Sequence, residues 1–346
     1  MIYFNSDYLE GAHPSIMVKM AETNMVQTVG YGEDEYCEAA REKIKAACQA
    51  PEADVHFLVG GTQTNTTVIA AILRPWQGVI AAVSGHINCH EAGAIESTGH
   101  KVITLPTDNG KITAQQVADY VEWHKNDEST EHIVQPGMVY ISHPTEAGTL
   151  YTKAELTELY DTCRRYGLPL YIDGARLGYG LAAEESDMTL PEFARLCDVF
   201  YIGGTKVGAL FGEAVVIMNE SLKKDFRFIM KQRGGRLAKG RLLGIQFDAL
   251  FTDDLYFKIS RHAIEMAHQI RDMFVSAGYP LLFDSPTNQQ YPIMPDAELA
   301  EIGKSFGYEY WERVDETHSG VRFCASWATT QENVDALREA VNALKK

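Results

Sequence analysis

Residues 168–177, LPLYIDGARL, and 198–212, DVFYIGGTKVGALFG, decide how this chain folds. Each opens with a short run that is apolar along its whole length and stops in a chemically distinctive turn. A strand apolar on both faces belongs in a mostly parallel sheet covered on both sides, since only there do both faces leave water. In open sheets of this kind the carboxyl ends of the strands border the ligand crevice. Asp173 stands at the first of these ends and Lys206 just beyond the second. Taken singly, Asp173 reads either as a crevice carboxylate or as a helix N-cap, with Gly174 making the turn and Arg176 as an ion-pair partner. Lys206 is either a solvated loop charge or a functional amine. Its surroundings are apolar, and burying an ammonium without a partner is costly. Desolvation and cationic neighbours lower the pKa of such a lysine and favour its reaction with a carbonyl.

The same texture extends outward. The runs 55–59, 78–83, 101–105, 138–142 and 214–218 read as further short strands. Between them, helical spacing predicts helices over 34–48, 62–73, 90–97, 113–124 and 153–166, the first with an acidic first turn that suits the helix dipole. Alternation of this kind predicts an α/β fold, a mostly parallel sheet between two layers of helices. After about residue 240 the pattern changes. A long helix over 255–277 precedes a polar, proline-containing segment at 284–295, then a helix, the strands YEYWERV and VRFCAS, and a last helix. The expected division is an N-terminal segment (1–20), a large α/β domain (21–250) and a smaller C-terminal α+β domain (251–346).

Composition narrows the function. Hydrophobic residues at 45% and charged residues at 23% are those of a globular protein. Lys and Arg number 31 against 47 Asp and Glu, a net charge of −16 that would repel nucleic acid and anionic membrane. Residues 1–16 lack the basic start and apolar run of a signal peptide, and no apolar stretch approaches the ~20 residues that span a bilayer. The six cysteines are scattered without metal-ligand spacing and read as reduced thiols, so no metal site is expected and the expected compartment is the cytoplasm.

An Asp at one strand end and a Lys after the next are the protein features that pyridoxal phosphate requires: a partner for its pyridinium nitrogen and an amine for its aldehyde. Other segments gain weight beside this pair. VGGTQTN (59–65) joins a strand to a helix, where Gly61, Thr62 and backbone N–H groups can hold a phosphate, although any tight turn also uses glycine. In SGHINCHEAG (84–93), His86 can stack on a flat cofactor or serve as a capping or core histidine, with Glu91 a short distance on. Arg322 in VRFCAS is suited to bidentate capture of a substrate carboxylate, or to an ordinary surface ion pair.

Taken in order, NSD, YGEDEY, GGTQTN, H-x4-EAG, TEAGT, DGARL, the lysine after a strand, the basic loop at 224–241 and VRF-x-ASW resemble the low-specificity threonine aldolases and their β-eliminating-lyase relatives. These belong to the fold-type-I aminotransferase superfamily, and the resemblance covers nearly the whole chain. It implies a three-layer PLP-dependent transferase-like fold. It also implies the cofactor on Lys206, its ring nitrogen on Asp173, its phosphate at Gly61 and Thr62, and His86 against the ring. Arg322, helped by Ser6 and Arg176, would take the carboxylate of a small amino acid substrate. Tyr31 would reach the site of a neighbouring subunit in a homodimer or homotetramer, and part of the set Arg233, Arg236 and Lys239 would approach the partner's phosphate. Two departures stand out: Glu146 occupies the place of a histidine that acts near the substrate β-hydroxyl, with His143 close by, and GGTKVGA replaces the usual sequence around the lysine. The expected activity is cleavage of a β-hydroxy-α-amino acid to glycine and an aldehyde. The rival expectations are β-elimination or transamination on the same cofactor, and a non-catalytic cofactor-binding dimer.

Overall fold

Seven strands form the central sheet of the computed structural model, which describes residues 1–345. They are β1 (Asp54–Leu58), β2 (Gln77–Ala82), β3 (Val102–Leu105), β4 (Gln135–Ser142), β5 (Leu170–Asp173), β6 (Val199–Gly203) and β7 (Glu213–Ile217), in the spatial order β1-β7-β6-β5-β4-β2-β3. From β6 through β3 every pairing is parallel. Only β7 runs against both of its neighbours. The mostly parallel sheet is therefore present, and the reversed strand has a consequence: its start, Glu213, lies at the same edge as the ends of the others. Glu213 is in register with both Leu58 and Gly203, and Ser142 with Asp173.

Strand alternation supplies a core on each face. Ile80, Val139, Ile141, Ile172, Phe200 and Ile202 join one cluster with the helices Glu35–Cys48, Lys153–Tyr166 and Arg241–Leu250. Val79, Ala81, Met138, Tyr140, Tyr171, Val199 and Tyr201 join the other, against the helix Gly61–Ile72. Local chemistry fixes the helix ends. The Asp34 carboxylate accepts from the Cys37 N–H, and Thr113 and Thr152 each form a reciprocal cap with the residue three places on.

A third cluster underlies the C-terminal α+β layer: Met266, Ile270, Phe274, Met294, Val321, Phe323 and Leu337. The N-terminal segment contributes to it through Phe4, and Ile2–Tyr3 pairs in parallel with Phe306–Gly307. The helix Leu255–Ser276 serves both parts, with Tyr256 to Ile264 facing the sheet core and Met266 to Phe274 the third cluster.

The helix expected over 90–97 is corrected. The chain instead forms a short helix at His86–Cys89 and a 3-10 turn at Glu96–Thr98. Ala92 (φ 49°) and Gly93 (φ 72°) adopt left-handed conformations between them, which no right-handed helix can contain. The segment 284–295, polar in composition, runs through the interior: Ser285, Thr287, Asn288, Gln289 and Gln290 are fully buried.

Candidate active site

Six of the seven strands, all but the edge strand β3, deliver a side chain or a turn to one cavity of about 450 Å³, within the range of small-molecule sites. β1 leads to Gly60, Gly61 and Thr62, β2 to His86, β4 to Ser142 and Glu146, β5 ends in Asp173, β6 leads to Lys206, and β7 begins with Glu213. Arg176 follows β5, and Arg322, Trp311 and Glu309 close the cavity from the C-terminal layer.

Asp173 is the most constrained group in it. Its carboxylate is 4% exposed and accepts from the Tyr140 hydroxyl (2.7 Å), the Asn65 amide (3.1 Å), the Ala175 N–H (3.0 Å) and the Tyr201 hydroxyl. The two-residue period puts Tyr140, Tyr171 and Tyr201 on one face of the sheet, and Tyr171 in turn donates to Asn65 Oδ1 at 2.7 Å. Burial alone would raise the pKa of Asp173. The facing His86 and the donated hydrogen bonds outweigh it and hold the carboxyl below its ordinary value, as an anion.

The network continues outward. Asn65 Nδ2 donates to Glu91 Oε1 at 2.6 Å, and the same oxygen lies 2.7 Å from His86 Nδ1. Burial works against a charge on His86, but the bond to Glu91 and the Asp173 carboxylate prevail and raise its pKa. Glu91 is 5% exposed and fixes which way the ring faces, the part usually played by a carboxylate behind a working imidazole.

Lys206 is half-buried. Burial and the Arg176 guanidinium lower its pKa, against the opposing pull of Asp7, Asp173 and Glu213. Glu213 is 4% exposed, and its carboxylate accepts from the Thr205 hydroxyl (2.8 Å) and the Gly204 N–H (3.1 Å); burial pushes it above the usual carboxylate range. Glu146 Oε1 accepts from the Ser142 hydroxyl (2.6 Å) and the His86 N–H (2.9 Å), and burial raises its carboxyl too. His143 points away from the cavity, packed with Phe193 and Tyr151, and burial lowers it to about 4.

Of the residues singled out in the sequence, Gly61, Thr62, His86, Glu146, Asp173, Arg176, Lys206 and Arg322 line one cavity. Two do not. Ser6 is buried beside it, and Tyr31 is exposed (46%) in a separate cleft lined also by Arg41, Arg227 and Arg236. Arg233, Arg236 and Lys239 are likewise outside this chain's cavity. Arg176 is not the ion-pair partner of Asp173. Its Nε and Nη2 donate to the two oxygens of buried Asp7, at 2.6 and 2.9 Å, leaving the Nη1 end for the cavity. Arg322 is no surface residue: it is 8% exposed, held by Gln289 Oε1 (2.9 Å) and the Asn5 carbonyl (3.1 Å), and ion-paired with Glu309. Sequence reasoning missed Asn65, Tyr140, Tyr201, Asp7, Glu213, Glu309 and Trp311. Asp7 and Asn65 stood in quoted motifs and could have been asked what they bind; the tyrosines read only as strand apolars.

Comparison with known proteins agrees with this geometry. Residues 4–338 match the family described as beta-eliminating lyase. The low specificity L-threonine aldolase of Pseudomonas aeruginosa is 28% identical over 337 residues, covering 96% of this chain and 95% of the relative. That of Pseudomonas sp. is 27% identical, covering 99% and 97%. Among solved structures, the threonine aldolase of Leishmania major superposes with a TM-score of 0.97 at 42% identity, over 100% of both chains. Histidinol-phosphate aminotransferase from Clostridium acetobutylicum, at 11% identity and a TM-score of 0.75 over 100% and 99% of the two chains, shares the fold. The architecture is thus the aminotransferase-like one, and the chain belongs to the beta-eliminating lyase family, whose members in general depend on pyridoxal phosphate.

Proposed function

We propose that the protein cleaves β-hydroxy-α-amino acids of the threonine kind to glycine and an aldehyde, with pyridoxal phosphate carried on Lys206. The observation that carries this reading is Asp173, a buried carboxylate kept ionised by three side-chain donors, lining one cavity with an amine whose pKa is lowered. The relatives named threonine aldolase support the choice of bond.

The residues fit the cofactor. Gly60 caps the 12-residue helix Gly61–Ile72 with no side-chain bond. A Cβ at Gly60 would meet nothing within 4 Å among the described residues. The first-turn N–H groups are therefore open to a phosphate, with the Thr62 hydroxyl alongside. Lys206 would carry the aldehyde carbon, Asp173 would pair with the ring nitrogen, and His86, oriented by Glu91, would lie against the ring. When bound, this group supplies an electron sink for the bond broken at Cα.

The chain's own residues do the rest. The lowered pKa of Lys206 leaves a fraction of its amine neutral and able to attack. Asp173, held as an anion, would keep a proton on a ring nitrogen paired with it. Arg322 takes the substrate carboxylate and so fixes which bond at Cα is aligned for cleavage. Glu146, in the place of the family's histidine, takes the proton of the β-hydroxyl as the Cα–Cβ bond breaks. Tyr31 is exposed with Lys231 and Arg236 over its ring, and Met25, Val26, Val29 and Phe228 are exposed apolar residues in the neighbouring sequence and in the basic loop. This surface supports a second copy that receives Tyr31 in its own site, as a homodimer or homotetramer. The free cysteines fit a reducing compartment such as the cytoplasm.

Borohydride reduction of the cofactor-loaded protein, followed by peptide mass analysis, tests the attachment. The expected result is a visible band near ~420 nm that Lys206→Ala lacks and that borohydride abolishes, with the reduced adduct then found on Lys206. An adduct on another lysine, or an unchanged band in the variant, would refute it.

A further inference from the structure

Two arginines face the cavity, and the chain treats them differently. Arg176 presents its side-on edge, Nε and Nη2, to both oxygens of Asp7, a carboxylate with no exposure that also accepts from Asn288 at 2.9 Å. That pair is closed. Arg322 has its equivalent edge half-filled. Glu309 meets Nη2 through one oxygen, while the buried Nε has no partner among the described residues. Glu309 and Arg322 are direct partners across the antiparallel strands Glu309–Arg313 and His318–Cys324, so both side chains share the face that lines the cavity. The Glu309 side chain is 49% exposed and that of Arg322 10%.

From this we propose that Glu309 is a resident counter-ion that holds the place of the substrate carboxylate on Arg322 and yields it when substrate binds, and so sets how readily a carboxylate is admitted. The proposal rests on the reading of Arg322 as the carboxylate anchor. Arg322 does not need Glu309 to stay in position: Gln289 Oε1, the Asn5 carbonyl and the Trp311 ring 5.8 Å away hold it independently. Nε is covered in this structure, and a carboxylate that takes the place of Glu309 and reaches Nε as well as Nη2 makes the bidentate contact that Glu309 does not. The displaced Glu309 already reaches water on its exposed strand. Exchange of one carboxylate for another also spares the cavity an unpaired buried guanidinium at every stage. An amine without a carboxylate cannot make the exchange, which gives the site selectivity for amino acids.

The test is calorimetric binding of glycine to the cofactor-loaded protein, with thermal melts to verify folding. It compares wild type, Glu309→Gln, Arg322→Lys and the double variant, with steady-state kinetics on threonine alongside. Glu309→Gln should bind glycine about 2- to 5-fold more tightly, the scale of a half-exposed ion pair removed from competition, with the gain confined to KM. Glu309→Asp, which keeps the charge, should restore much of the wild-type affinity. On the Arg322→Lys background the gain should vanish. Unchanged or weaker glycine binding in Glu309→Gln would overturn the proposal and leave an ordinary cross-strand ion pair. An equal gain on the Arg322→Lys background would overturn it too, as a general field effect. Failure of the anchor reading is separate: it shows as Arg322→Lys alone leaving glycine affinity unchanged.

Discussion

At the scale of single residues, the site is a carboxylate held as an anion against its own burial. Each donor to Asp173 contributes to that, and a hydrogen bond to a charged buried group is worth about 1.5–3 kcal/mol. Tyr201→Phe should therefore weaken cofactor retention and lower kcat by roughly 10-fold or more, measured as the cofactor dissociation constant and the rate on threonine. Glu146 has its pKa raised by burial. As a base it works only when ionised, so kcat should fall as pH drops through that raised value. Glu146→Gln should remove this acidic limb and cost about 10²–10⁴ in kcat, while a visible spectrum shows the cofactor still bound. Asp173 and Lys206 were legible in the sequence because both interrupt apolar runs at strand ends. Tyr140 and Tyr201 were not: inside such runs a tyrosine is indistinguishable from core until the sheet fixes which face it shares with Asn65.

At the scale of elements, the strands and most helices were readable because their apolar periods are clean and their caps are explicit. One failure has a physical cause. The expected helix over 90–97 lost to the left-handed pair Ala92–Gly93, whose adoption depends on Glu91 turning inward to His86 and Asn65. The polar segment 284–295 is largely buried and satisfies its amides only in part, with Asn288 Oδ1, Gln289 Nε2 and Gln290 Oε1 left without a partner among the described residues. Gln290 Nε2 donates to the Ser285 and Thr287 carbonyls, and Asn288 Nδ2 to Asp7 and the Ala325 carbonyl. The join between β5 and β6 is tight in a way that only glycine permits. A Cβ on Gly174 would lie 1.9 Å from the Tyr201 carbonyl oxygen. Gly174→Ala must push the two strand ends apart, and with them Asp173 and Lys206. Urea denaturation should show a loss of about 2 kcal/mol or more; a loss below the noise would mean that the strand ends are more compliant than this packing implies.

At the scale of the whole molecule, the N-terminus ties the two layers together. Ile2–Tyr3 and Phe4 join the C-terminal layer, and three residues on Asp7 clamps Arg176 beside β5. Burial opposes the charge on Asp7, but Arg176 and Lys206 hold its carboxyl well below the ordinary range. A depressed carboxylate stabilises the fold above its unfolded pKa, ~3.9, and that contribution is lost as pH falls below it. Asp7→Asn should cost about 3–5 kcal/mol at pH 7 by leaving Arg176 buried without its counter-charge. It should also flatten the acid side of the stability profile, as read from urea midpoints between pH 3 and pH 7. This long-range clamp was invisible in the sequence, where 169 positions separate the partners.

The central claim is that the cavity formed by the strand ends breaks the Cα–Cβ bond of a β-hydroxy amino acid. Its most direct test is product analysis of the cofactor-loaded protein with threonine, allo-threonine and phenylserine, run beside Lys206→Ala. Glycine and the matching aldehyde should appear in equal amounts and be absent with the variant; no aldehyde from any of the three, or pyruvate and ammonia released from serine in its place, would contradict it.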